Sequence, residues 1–291
     1  MLLAKLSSGC KVSSRCQPAP YEAMAEKLKN APIYFAIAQV RHNAILTVRD
    51  YLPAVQEGMR KAGYADFAPG FAISFNIPAA VPGEAHQTKP PTPVQMERFV
   101  FSNLGKTQAF IVDVNAISFQ TTEYETYPEF SGEFFRGLEI VHKIIGLDFS
   151  ERVGLRYLDA VSPLTNGEEL WSYLVPGVAG IGRHLPKGLN NVAHSLSETV
   201  IVTSEGNVTA KTIMRNGSLG FPLDLQPLGL NVADRFMHVN GPHAILDTDA
   251  AWQTREEFDI AALQHRLGKL HEIAEGVFDA TVTERAKAAW R

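Results

Sequence analysis

The chain has 291 residues, 45% hydrophobic and 20% charged, with a formal net charge of −4 and a pI near 6.1. That length supports one large domain or two modest ones with real cores, and the acidic balance argues against a dedicated nucleic-acid binder, which carries a basic excess on one face. No run approaches the roughly 18 apolar residues of a membrane span, and two cysteines at Cys10 and Cys16 leave the body of the chain without a disulfide frame, a cysteine nucleophile or a cysteine zinc site, so a reducing, cytoplasmic setting fits.

Residues 1–23 are basic and serine-rich, with no acid before Glu22, and read as a disordered extension. Met24 is an alternative start, because the ordered pattern begins just after it. A strand is expected from Ile33 to about His42, entered through Pro32, a position that tolerates the missing N–H. Val48, Tyr51, Leu52, Val55 and Met59 recur at helical steps up to Gly63. A strand over 70–78 follows, then a proline-rich exposed loop over 78–93. Residues 98–114 read as a hairpin around Asn103–Lys106, 115–124 as a strand, and 129–146 as a helix ending at Gly146.

The order then begins again. The stretch ERVGLRYLDAVSP, 151–163, reads as a strand, and 167–181 as a short helix broken at Pro176. Residues 191–217 form a hairpin turning at Glu205-Gly206-Asn207. Residues 234–252 give one or two strands, with a turn at Gly241-Pro242. The last 35 or so residues carry one apolar stripe through Phe258, Leu267, Leu270, Ile273 and Val277, the mark of a single long helix. The predicted fold is α+β, in two similar halves spanning 24–148 and 149–291. Each half runs strand, helix, antiparallel strands, helix, with the helix buried on one sheet face. That order resembles the TATA-binding-protein-like and helix-grip architectures.

KLKNAPI at 27–33, TTEY at 121–124 ahead of a helix, and RVGLRYLDAV at 152–161 resemble a sporadically distributed prokaryotic family of uncharacterised proteins of about this size; LDTDA at 246–250 is a weaker echo. The resemblance covers 27–163 best and implies the fold more than an activity. In that family the first strand carries acids, in the pattern API-x-E-A-x-x-E-V-R. Phe35 and Gln39 stand in those places here, so no role of those acids transfers. Sporadic distribution points, by analogy alone, to an accessory or defence-associated gene.

On the strand 151–161, Arg152, Gly154 and Arg156 share one face, with the arginines about 13 Å apart by strand rise. They are suited to clamp an anionic ligand or acidic peptide, or to pair with helix acids such as Glu133 and Glu139. Arg41, at the matching end of the first strand, and Tyr124, beside the second helix, complete the candidate ligand-binding set. His238, Asp247 and Asp249 use metal-binding residue types at a spacing that matches no strong motif. Glu123 and Glu125 read as charges favouring the N-terminus of the following helix. No nucleophile elbow, phosphate loop or dinucleotide fingerprint is present.

The sequence therefore points to a non-enzymatic binding or protein-interaction module without a cofactor. Its partner is an unidentified protein, a second copy of the chain, or a small anionic ligand. The alternative is a small-molecule or phosphoester enzyme using Arg156, His238, Asp247 and Asp249. Nucleic-acid binding through Arg41, Arg152 and Arg156 is a third, weaker reading.

Overall fold

A computed structural model of the chain describes residues 30–76, 92–165, 168–186, 192–222, 224–225, 227 and 229–291. The expected extension at 1–23, with Cys10 and Cys16, and most of the loop at 78–93 lie outside the described residues. The protein is a mixed α+β structure built on a large antiparallel sheet.

The described elements run β1 (Ile33–His42), α1 (Val48–Lys61), β2 (Asp66–Asn76), β3 (Thr92–Ser102), β4 (Gln108–Asp113), β5 (Ala116–Thr121), α2 (Tyr127–Ile145) and β6 (Phe149–Val161). They continue with β7 (His194–Thr203), β8 (Gly206–Ser218), α3 (Asp234–Met237), β9 (Asn240–Trp252), β10 (Glu256–Glu257), α4 (Ile260–Thr281) and α5 (Glu284–Trp290). The strand order is β2-β3-β4-β5-β1-β6-β9-β8-β7, with β10 added on β6. Every described strand pairing is antiparallel. β1 and β6 lie side by side in the middle, with Ala38 opposite Leu155 and Arg41 opposite Arg152.

Three expected elements differ. Residues 168–184 form short 3₁₀ turns, at Leu170–Ser172, Pro176–Val178 and Gly180–His184, in place of a helix. Pro176 has no N–H to give, and Gly177, Gly180 and Gly182 are poor helix formers. The region 234–252 opens with the single helical turn α3, which seats Phe236 5.8 Å from the Tyr34 ring. Gly241 and Pro242 form no turn, because both are paired positions of β9, opposite Gly217 and Asn216. The C-terminal helix is interrupted. Val282 is extended and bridges to Leu174, and Thr283 caps α5 by accepting from the Ala286 N–H at 3.2 Å.

Strand alternation sorts the side chains onto two faces. Phe99, Phe101, Phe110, Phe119, Ala36, Val40, Val153 and Leu155 point to the helices and meet Val55, Met59, Phe134, Leu138, Leu267 and Leu270 in the main core. α2 is capped by Thr126, which accepts from the Glu129 N–H, and it ends at Gly146 in the left-handed region. The helix approaches the sheet closely at Gly137, where a Cβ would stand 2.2 Å from the Phe110 ring.

The opposite face is covered over only part of its area, by the segment 219–239. Phe221 packs against Tyr34 and Phe35, at 5.2 and 5.5 Å between ring centres. Tyr34 donates its hydroxyl to the Gly220 carbonyl at 2.9 Å, and Leu230 and Phe236 are buried below. Beyond this cover the face turns polar.

Candidate functional site

The polar part of the open face begins with Gly154. A Cβ there would fall 2.3 Å from Arg152 Nη1 and 2.8 Å from Arg152 Cζ. The missing side chain therefore lets the Arg152 guanidinium lie flat along its own strand. From that position Nη1 donates to Gln39 Oε1 at 3.2 Å, and Nη2 sits 3.5 Å from Asp249 Oδ1. Burial lowers the Arg152 pKa; Asp249 opposes the shift, and the charges of Arg41 and Arg156 add to it.

Arg156 is differently placed. Its Nε and Nη2 donate to the two Asp247 oxygens at 2.6 and 2.7 Å, and Nη1 and Nη2 reach Asp224 at 2.8 and 3.2 Å. Burial would lower its pKa, but the bonds to Asp247 and Asp224 raise it above the ordinary value. With both neighbours carboxylates, Arg156 is a structural tie between β6, β9 and the covering segment. The expected helix acids play no part. Glu133 pairs with Arg136 and Glu139 with Lys143 on the far side of the sheet.

Between these arginines lies a recess of about 240 Å³, floored by Ile37, Gln39, Ile111, Ser118 and Gln120 and edged by Arg98, Asp113, Asp224, Leu225 and Asp249. Gln39 Nε2 donates to Ser118 Oγ at 2.9 Å. Gln120 is only 3% exposed, and its Oε1 has no hydrogen-bond partner. Arg98 Nε is also unpartnered, 3.9 Å from Asp113. Burial raises the pKa of Asp113 and of Asp249.

Arg41 does not line the recess; it is exposed and directly opposite Arg152 across the β1–β6 pair. Like charges in that relation are destabilising. Among the described residues no carboxylate lies within ion-pair distance of Arg41.

The remaining expected residues lie elsewhere. Tyr124 is on the helix face, 5.5 Å from both Tyr157 and Phe130, in a hollow of about 500 Å³ that Glu123, Glu125, Glu129 and Glu133 also line. His238 ends α3 and lines a hollow of about 640 Å³, with Trp171, Arg215 and Arg235. Asp247 lies seven residues beyond the start of β9, roughly 20 Å away by strand rise. His238 is thus separated from Asp247 and Asp249. Among the described residues no three His, Cys, Asp or Glu side chains gather as a metal-binding group, and His238, Asp247 and Asp249 are not brought together. The His238 hollow is roomier than the recess at Arg152, but Arg235 and His238 in its wall are exposed, whereas the recess holds buried polar atoms.

Sequence reasoning missed Arg98, Asp113, Gln120 and Asp224. The run AISFQT alternates apolar and polar residues, and that alternation alone sends Ser118 and Gln120 to the face opposite Ile117 and Phe119. Asp224 comes from an aperiodic segment and left no such trace. No protein-family model matches the chain, and no curated protein matches it. The site therefore rests on its geometry.

Proposed function

We propose that the chain is a non-enzymatic binding module that holds a small anionic ligand on the open face of its sheet, between Arg41 and Arg152. One observation carries the reading: two arginines face each other across adjacent strands, and the exposed one has no carboxylate to neutralise it among the described residues. An anion between them turns a repulsive pair into two charge-assisted contacts. Arg156 is not part of the clamp, because Asp224 and Asp247 already occupy it.

The same reading takes the chain as two similar halves of the TATA-binding-protein-like or helix-grip kind, related to the sporadic prokaryotic family through KLKNAPI, TTEY and RVGLRYLDAV. Strand pairing supports it. β1 pairs with β5, the last strand before α2, and β6 pairs with β9, the last long strand before α4. Such a sheet leaves its uncovered face open to a ligand.

The test is native mass spectrometry of the protein gently purified from its own host, beside an Arg41→Ala variant. The expected result is a small bound mass that the variant loses. A bare chain, a bound protein in place of a small mass, or an adduct that Arg41→Ala keeps would overturn the reading.

A further inference from the structure

The two ends of the sheet are finished differently. At one end β2 carries Pro69 within the strand, which has no N–H to offer a further strand. At the other end stands β7. Its sequence, HSLSETVIVT, has no proline, glycine, lysine or arginine, residues that blunt an edge against pairing. One residue in two directs its N–H and C=O outward, and among the described residues no strand pairs with that side. Leu196, Val200 and Val202 stand on the same face as Ile213, the open one, and are 53, 60 and 76% exposed. The carboxylate between them, Glu198, is answered within the chain by Lys211 at 3.6 Å. The edge is therefore extended, apolar and without net charge.

We infer that β7 pairs antiparallel with β7 of a second copy of this chain, about a two-fold axis at Thr199. The strand's own sequence selects this occupant and this register. An axis normal to the sheet keeps every side chain on its own face and sets opposite each other residues equally far from the axis. Centred on Thr199, Leu196 meets Val202 twice, Glu198 meets Val200 while staying beside its own Lys211, Ser197 meets Ile201, and Thr199 meets itself, a favourable cross-strand pair. Centred on Glu198, two carboxylates would oppose each other directly, which is destabilising. Centred on Val200, Leu196 would fall opposite Ser204 in the turn and lose its apolar partner.

The shared edge runs over residues 195–203 and continues one sheet through both chains. A contact made by one strand from each copy is at the small end of interface sizes, so the dimer should exchange with monomer at about 10–100 µM. The inference does not use the site at Arg152, and failure to bind an anion would leave it standing.

Sedimentation velocity of the full chain from low to high micromolar concentration tests this, together with cysteine pairing. The expected result is a rise from monomer to dimer. Val202→Lys, at an exposed position, should leave the circular dichroism unchanged and raise the dissociation constant at least about tenfold, because the charge enters the contact twice. In a chain carrying Cys10→Ser and Cys16→Ser, Thr199→Cys should oxidise to a disulfide-linked dimer, because opposed Cα atoms lie about 4.5–5.5 Å apart. Ser197→Cys should not, because its mate lies four residues along the partner strand, about 13 Å away. A chain that stays monomeric throughout, as it would if a segment of its own covered β7, overturns the inference. So does a dimer that Val202→Lys leaves intact. A dimer that Thr199→Cys fails to cross-link overturns the two-fold register.

Discussion

Arg156 and Arg152 are the same residue type on one strand face, yet their surroundings give them different work. Arg156 joins β6 to β9 through Asp247, whose side chain is 2% exposed. Removing one member of a buried pair strands the other, and Asp247→Ala should destabilise the protein by about 3–5 kcal/mol. Asp224 is 62% exposed on its side of the same arginine, so Asp224→Ala should cost below about 1 kcal/mol. Urea midpoints of the two variants decide it; equal losses would mean that Arg156 is not anchored where its contacts indicate.

Two groups on the helix face, Asp159 buried and His271 half-buried, set opposite pH dependences. Asp159 is raised by burial to about 7. Between the ordinary carboxyl value and 7 the unfolded chain releases this proton and the folded chain keeps it. Stability from this residue is therefore full in acid and is lost as pH rises to 7, by on the order of 3–4 kcal/mol. His271, stacked 3.9 Å from Tyr127 and 3.2 Å from the Tyr157 hydroxyl, is lowered by burial to about 4. Its stability is full above the ordinary histidine value and is lost as pH falls from about 6.5 to 4. The two slopes oppose each other over that window. Asp159→Asn should gain stability over the wild type as pH rises from 4 to 8, and His271→Gln should gain as pH falls from 7 to 4. Urea denaturation across pH would show this, and parallel profiles for wild type and variants would refute both assignments.

At the level of elements, α2 is the most constrained. Gly137 faces the Phe110 ring, which is itself fully buried and packed 4.7 Å from Phe119 and 4.8 Å from Tyr64. Helix propensity alone makes Gly→Ala favourable by about 1 kcal/mol. Here the clash should win, and Gly137→Ala should destabilise by about 1–3 kcal/mol; a rise in Tm would show that the helix can move off the sheet. The sequence foretold α2 and its stop at Gly146, because capping and period act locally. It also placed Arg152, Gly154 and Arg156 on one face, since strand alternation needs no tertiary information. It did not reveal what those arginines would meet. Asp224 reaches Arg156 from a segment without periodicity, and that segment covers part of the open face through Phe221 and Phe236. The break at Val282 was hidden for a similar reason. The apolar stripe continues through it, and only the packing of Trp290 and Ala286 against Leu174 and Tyr173 favours a separate helix.

For the whole molecule, the β1–β6 seam decides whether the chain behaves as one unit. Each strand is the inner edge of its own group, and separation would expose two long rows of unpaired N–H and C=O groups. The seam also carries side chains across it, with Arg152 on Gln39 and Tyr157 against Tyr124 and Phe130. The main core draws on both sides, from Phe119 and Phe134 to Leu155, Leu267 and Leu270. Residues 24–148 and 149–291 should therefore unfold together. Trp171, Trp252 and Trp290 all lie after the seam, so tryptophan fluorescence reports on the second stretch alone, while far-ultraviolet circular dichroism reports on both. In urea the two signals should trace one transition with one midpoint. A fluorescence midpoint displaced from the dichroism midpoint would mean that the seam is a boundary between independently stable halves. The recess, whose walls come from both sides of it, would then open and close with their motion.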